Sequence, residues 1–186
     1  MLDDSALPTG NYLLNGAQSS RLYFRTVIPE DFEAWLPFYE DPSSTQFWEG
    51  PALQPREACR AQFDRIFERY EKSLGGMNAL LLKETETFVG FCGLLVQEID
   101  GEEELEIGYS ILPAYRRLGY ATEAARTCME LAFGNTRLAS LVSIIHINNY
   151  RSRGVALKNG MHLEKTTVYK ENPVAIFRIY RHEYFR

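Results

Sequence analysis

"ELEIGYSILPAYRRLGYATEAARTCMELAF", Glu104 to Phe133, is the stretch that decides the fold. Glu104–Leu112 reads as a strand closed by Pro113. A helix opens after Gly119, with Ala121, Ala125, Cys128 and Ala132 on its inner face, and Gly134-Asn135 is expected to stop it. "SLVSIIHI", Ser140 to Ile147, is nearly all apolar, as in strands buried on both faces. Strand, helix and strand form a parallel crossover unit inside a mixed sheet. The turn itself carries chemistry. The first N–H groups of a helix lack internal partners, and the helix dipole adds partial positive charge there. Gly119 keeps that space clear and tolerates a positive φ, Ala121 is nearly as small, and Arg116 and Arg117 flank it. The combination suits a phosphate or diphosphate. It is neither a dinucleotide fingerprint nor a P-loop, and taken alone it equally describes an ordinary loop with solvated arginines.

Working outward, "RLYFRTV" (Arg21–Val27) alternates as a strand, and Pro29, Glu30 and Asp31 suit a helix start, with Pro37 limiting or kinking that helix. Asp41–Pro55 is rich in turn formers and reads as a loop or broken helix. Arg56–Leu74 is an amphipathic helix with a stripe of Cys59, Phe63, Ile66, Phe67, Tyr70 and Leu74, ended by Gly75-Gly76. Asn78–Glu84, Thr87–Ile99 and Glu104–Leu112 form an antiparallel meander. A short helix from about Asn149 to Asn159 and strands near 161–170 and 174–185 complete the chain. The expected class is therefore α/β (α+β): a mixed, mostly antiparallel sheet of about seven strands with about four helices. Residues 1–20 read as an N-terminal arm and 21–186 as a single domain, a size that supports a real core.

Composition narrows the function. A net charge of −5 argues against nucleic acid as a main partner, though not against a local basic pocket. Cys59, Cys92 and Cys128 have no metal-type spacing and read as reduced, buried thiols of a cytoplasmic protein. The acidic start "MLDDSALPTG" lacks an apolar run, so no signal peptide is expected, and no stretch approaches the roughly 20 apolar residues that span a bilayer. No metal-type cluster of His, Cys and carboxylates is evident.

The quoted segment resembles the cofactor-binding core of the GNAT superfamily of acetyl-coenzyme A-dependent N-acetyltransferases. The family motif Arg/Gln-x-x-Gly-x-Gly/Ala stands here as Arg116, Arg117, Leu118, Gly119, Tyr120 and Ala121, continuing through Thr122, Glu123 and Ala124. "NNYRSRGVALKNGM", with Asn149, Ser152, Lys158 and Gly160, and the opening "RLYFRTVIPEDFEAWLPFYED" are similar to the branch that acetylates ribosomal-protein N-termini. The resemblance implies a sheet splayed between the strands at 104–112 and 140–147. The pantetheine arm would pair with the backbone of Tyr109, Ser110 and Ile111, and the diphosphate would rest on the N–H groups of Arg117 to Thr122. Asn149 would contact the arm, although its position equally suits a helix N-cap.

Acetyl transfer to an amine needs a neutral amine, a stabilised oxyanion and a protonated leaving thiolate. Glu106, two residues before Gly108, stands where several family members carry a catalytic glutamate, and it is the candidate base. It also belongs to an acidic run with Glu102, Glu103 and Glu104, so a solvated strand residue is the plainer alternative. A backbone N–H near Ile111 is the candidate oxyanion donor. Where many members carry an acid tyrosine this chain has Ala156, and Ser152 is the substitute in the ribosomal-protein branch, its hydroxyl either protonating the thiolate or binding the cofactor by a hydrogen bond to the sulfur, with a helix-surface serine as the plainer alternative. Tyr115 and Tyr150 are outside candidates, and His146 reads as structural.

The acceptor site is expected between the N-terminal helices and the loop at 169–174, with Phe47 and Trp48 as lining residues. Glu98 and the 102–106 run favour a cationic amine, either a small molecule such as a polyamine or aminoglycoside-like amine or a peptide N-terminus. The protein would act as a monomer or homodimer. The alternative reading is a non-catalytic acyl-coenzyme A-binding sensor, and a third is a scaffold that binds no coenzyme A.

Overall fold

The structure, a computed structural model, describes residue 7 and residues 11–47 and 53–185. Its seven strands form one sheet in the order β1-β2-β3-β4-β5-β7-β6. β1 (Leu22–Thr26), β2 (Gly75–Leu82), β3 (Phe88–Ile99) and β4 (Glu102–Ile111) form one antiparallel set, each paired with the next. β5 (Ser140–His146), β7 (Asn172–Tyr180) and β6 (His162–Tyr169) form a second antiparallel set. The two sets meet where β4 runs parallel to β5, and Glu106 opposite Val142 is the one register pair there among the described residues. The sheet is thus splayed beyond that pair, and the mixed, mostly antiparallel architecture read from the sequence is the one observed.

Helices cover both faces. α4 (Tyr120–Asn135) packs on one face through Ala124, Ala125, Cys128, Met129, Ala132 and Phe133, all buried. Small side chains let the helix approach the sheet closely, and Phe133 and Met129 fill the space at its far end; truncating a ring so placed costs roughly 3–5 kcal/mol. α5 (Tyr150–Lys158) lies on the same side through Val155 and Ala156. The opposite face carries α1 (Asp31–Glu40) and α3 (Pro55–Glu71) over an aromatic cluster centred on Trp35, Phe63 and Phe91. Pro37 lies within α1, which runs through it.

Two one-turn helices, α2 (Pro42–Thr45) and α6 (Arg181–Tyr184), bring the helices among the described residues above the expected four. α6 replaces the end of the last expected strand. Gly75 and Gly76 do not stop α3; they begin β2. A Cβ on Gly75 would lie 2.1 Å from the Leu94 carbonyl oxygen, so glycine is needed for backbone approach rather than for a helix cap. Gly134 and Asn135 are likewise the last residues of α4, with Thr136 as its cap. The lead-in to β1 is part of the fold from Tyr12 onward. Tyr12 and Leu14 are buried in the core, and the Leu14 N–H donates to the buried Asn78 side chain at 3.0 Å.

Candidate active site

The direction of the β4 backbone defines what faces the splay. The Leu112 N–H donates to Val89 on β3 at 3.0 Å, and the Ile107 carbonyl accepts from the Ser143 hydroxyl on β5 at 2.9 Å. Peptide groups alternate along a strand, so those of Tyr109 and Ile111 face the gap, while that of Ser110, which is paired with Phe91, faces β3. Of the three backbone positions expected there, the gap therefore offers Tyr109 and the N–H of Ile111, whose carbonyl accepts from Arg116. Tyr109 closes one side of it, donating from its hydroxyl to the Ser152 carbonyl of α5 at 2.8 Å. Burial pushes the Tyr109 phenol well above its ordinary range, which keeps it a neutral donor.

Asn149 is the N-cap of α5 and accepts from the Ser152 N–H at 3.1 Å. The cap uses its carbonyl oxygen and leaves the amide nitrogen for another partner. Ser152 is half-buried beside the gap, its backbone used by Asn149 and Tyr109. Ala156 is buried, Tyr150 is 72% exposed, and Tyr115 packs between the two large core clusters.

The glycine turn starts at a 3-10 turn, Pro113–Tyr115. Arg117 takes a φ of 64° and Gly119, the N-cap of α4, a φ of 87°. Gly119 offers no side chain as cap, and a Cβ there would stand 3.3 Å from the Arg21 guanidinium. The space before the N–H groups of Tyr120, Ala121 and Thr122 is thus kept by the missing side chain, and these residues fit a diphosphate. Arg117 and Leu118 are exposed beside it.

Arg116 has a different occupation from the one its sequence position suggested. Its Nε donates to the Ile111 carbonyl at 3.1 Å, and its Nη1 donates to Asp41 at 2.7 Å and to Ser43 at 3.0 Å; Nη2 reaches Ser44. The Ser43 hydroxyl first, then Ser44 and Arg116, hold the Asp41 carboxyl well below the usual carboxylate range. This guanidinium ties the turn to α2 and is not open to a phosphate. Besides the exposed Arg117, the turn has a second cation in Arg21, which the motif does not contain. It donates to the Leu118 carbonyl at 3.0 Å, lies 4.6 Å over the Tyr120 ring and pairs with Glu123 at 2.7 Å.

Glu106 stands at the closed end of the splay. Its Oε2 accepts from Gln97 Nε2 at 2.7 Å. Burial pushes its carboxyl up from the ordinary value, against the Gln97 and Ile144 N–H groups and the charges of Arg69 and Lys170. The acidic run does not act as one group. Glu102 and Glu103 are exposed, and Glu104 is spent on Arg178, whose Nη1 lies 3.0 Å from it. With Arg69 and Lys170 near Glu106, the local field is less acidic than the sequence implied. Of the two aromatics expected to line the acceptor site, the Phe47 ring lies 5.7 Å from that of His146, while Trp48 falls outside the described residues. His146 is buried and its Nδ1 accepts from the Asn148 N–H at 3.2 Å, a structural use. The three cysteines are free and buried. Among the described residues no group of three or more His, Cys, Asp or Glu is placed to hold a metal, and no helix is long and apolar enough to cross a membrane.

Residues 21–162 match the model of one family, the acetyltransferase (GNAT) domain. The chain belongs to the GNAT acetyltransferases. It is 36% identical to an uncharacterized Bacillus subtilis protein, YkkB, over 51% of this chain and 55% of that one, so the match spans about half of that relative. It is 22% identical to an uncharacterized N-acetyltransferase of the same organism, YoaA, over 79% and 82%. Among solved structures, an acetyltransferase from Agrobacterium tumefaciens superposes with a TM-score of 0.75 at 23% identity, covering 94% of this chain and 99% of that one. RimL, a ribosomal L7/L12 α-N-protein acetyltransferase solved with coenzyme A, gives 0.69 at 14% identity over 89% and 97%. A Vibrio cholerae spermidine N-acetyltransferase solved with coenzyme A and spermine gives 0.69 at 14% over 90% and 99%.

Proposed function

We propose that the protein transfers an acetyl group to a primary amine by direct attack in a ternary complex, with Glu106 as general base. The observation that carries this reading is the position of Glu106 at the last paired residue before the splay. A carboxylate there lies at the inner end of the cleft whose mouth is the Gly119 turn. Acetyl-coenzyme A supplies an activated thioester when bound. The N–H groups of Arg117, Leu118, Gly119, Tyr120, Ala121 and Thr122 would hold its diphosphate, and the backbone of Tyr109 and Ile111 with the Asn149 amide would hold its pantetheine arm. Arg116 and Ser110 then support the site from behind, through Asp41 and β3.

Glu106 takes a proton from the acceptor ammonium, directly or through water, and a raised carboxyl pKa suits that task near neutral pH. The neutral amine forms the C–N bond as the C–S bond breaks. The Ile111 N–H steadies the negative oxygen, and the Ser152 hydroxyl gives a proton to the sulfur and regains one from the acylated nitrogen, directly or through water. The Asn149-x-x-Ser152 setting supports the ribosomal-protein N-terminal acetyltransferase-like branch, and the acceptors named for RimL and the spermidine enzyme support an amine that is either a peptide N-terminus or a small molecule. Three free thiols suit the cytoplasm. A screen of peptide and small-molecule amines, read by release of free coenzyme A thiol, tests the reading. Turnover that falls in Glu106→Gln supports it. Binding of acetyl-coenzyme A without turnover of any amine would favour a sensor.

A further inference from the structure

Glu106 is not held by its own strand. Gln97 on β3 stands opposite Glu104, with Leu95 opposite Glu106, so Gln97 is a diagonal neighbour of Glu106 on one sheet face. Its direct partner Glu104 is bound by Arg178, which leaves the Gln97 amide to turn toward Glu106. The other end of that amide is also used. Tyr169, the last residue of β6, donates from its hydroxyl to Gln97 Oε1 at 2.8 Å. Its ring reaches there by packing on the apolar cluster of β5 and β7 that contains Val142 and Ile144. The two-residue turn after it, Lys170-Glu171, takes left-handed φ values of 47° and 66° without glycine. Positive φ at both central residues is the type I′ geometry of a two-residue hairpin, and it leaves Tyr169 paired with Asn172 at the end of β6.

We propose that Gln97, anchored by Tyr169, is the positioning residue that presents Glu106 to the acceptor amine. An amide has a donor end and an acceptor end. The Tyr169 hydroxyl claims the acceptor end, so the donor end must face the carboxylate. Without Tyr169 the amide is free to turn its oxygen toward Glu106, which repels. With it, the donor end of the amide stays on Oε2 and the amide oxygen is kept away from the carboxylate. The chain Tyr169–Gln97–Glu106 also links the β6–β7 turn, on the acceptor side, to the base. The charged and titratable groups that face Glu106 are Arg69 on α3, Tyr109 on β4, Tyr169 on β6 and Lys170 in the turn.

The inference rests on Glu106 being the base, and the test separates the two. The full chain labelled with 13Cδ-glutamate is titrated by NMR, with the Glu106 signal assigned by its loss in Glu106→Gln. The same variants are assayed for kcat/KM against pH with spermidine and an unblocked peptide as probe amines. Gln97→Leu raises the Glu106 titration midpoint by about one pH unit, the size of a hydrogen bond to a charged group. Tyr169→Phe, nearly isosteric, raises it by less and carries the test if Gln97→Leu fails to fold. The acid limb of kcat/KM moves with the midpoint in both, and acetyl-coenzyme A affinity does not change. A Glu106 midpoint unmoved in Tyr169→Phe and Gln97→Leu overturns the proposal. An acid limb that vanishes in Glu106→Gln but stays in place in the other two keeps the base and removes the positioning role. An acid limb that survives Glu106→Gln removes the base itself.

Discussion

Arg21 and Glu123 meet in an ion pair of 2.7 Å that joins the start of β1 to the first turn of α4. A carboxylate beside a diphosphate site would repel its ligand. Here the Ser19 hydroxyl at 2.6 Å, the Arg21 N–H at 2.7 Å and the Arg21 guanidinium all donate to it. Burial works to raise the Glu123 carboxyl, but these donors outweigh it and hold it below its ordinary value. Arg21→Ala therefore exposes an uncompensated negative charge at the helix entrance. Coenzyme A affinity falls about fivefold at low salt, and less at high salt, where half-exposed charges are screened. Adding Glu123→Gln recovers part of the loss. Titration calorimetry at two ionic strengths reads both effects, and unchanged affinity in Arg21→Ala contradicts them.

Ser152→Ala keeps the cap of α5, because Asn149 and Tyr109 bind the Ser152 backbone rather than its side chain. Melting temperature and acetyl-coenzyme A affinity stay near wild type. Turnover falls by about 10- to 100-fold if the hydroxyl serves the leaving sulfur. Full turnover in Ser152→Ala removes the hydroxyl from the mechanism.

Glu106 links stability to pH in a definite direction. Burial raises its carboxyl in the folded chain. Between the unfolded value near ~4.3 and the higher folded value, the folded state binds more protons. Stability thus falls as pH rises through that window, and the cost is complete above it. Glu106→Gln cannot ionise, so its melting temperature gains on wild type across the same window while turnover drops about 100-fold or more. Equal melting curves from about pH 4 to 8 would show that the carboxylate is not strained by burial.

Arg178 is 9% exposed and binds Glu104 on β4, Glu164 on β6 and the Ser140 hydroxyl on β5. It is the charged rivet between the two halves of the splayed sheet. Arg178→Ala leaves two carboxylates facing one another without a cation, and chemical unfolding should show a loss of about 3 kcal/mol. A loss under about 1 kcal/mol would mark the cluster as a solvated pair.

Much of this was legible in the sequence because it is local. Alternation in Arg21–Val27, the apolar run Ser140–Ile147 and the Gly119 turn each carry their meaning within a few residues. What was illegible depends on distance along the chain. Arg116 looked like a phosphate ligand because Asp41, its partner, lies 75 residues away. Arg21 looked like a strand residue because Glu123 is 102 residues away. Tyr169 became visible near Glu106 only through its hydroxyl contact with Gln97, 72 residues away along the chain. Gly75-Gly76 was misread for another reason, since a helix stop and a close strand approach demand the same residue.

The measurement that bears most directly on the site is calorimetric titration of the chain with acetyl-coenzyme A, repeated with Gly119→Glu. Gly119 sits at a φ of 87° with Arg21 3.3 Å from the position of a Cβ. A glutamate there fills the entrance with a side chain and a negative charge and strains the turn by about 1 kcal/mol, well short of unfolding a domain. Micromolar binding by the wild type that disappears in a folded Gly119→Glu variant is the expected result. Equal affinity in the two would contradict a diphosphate site at the Arg117–Thr122 turn.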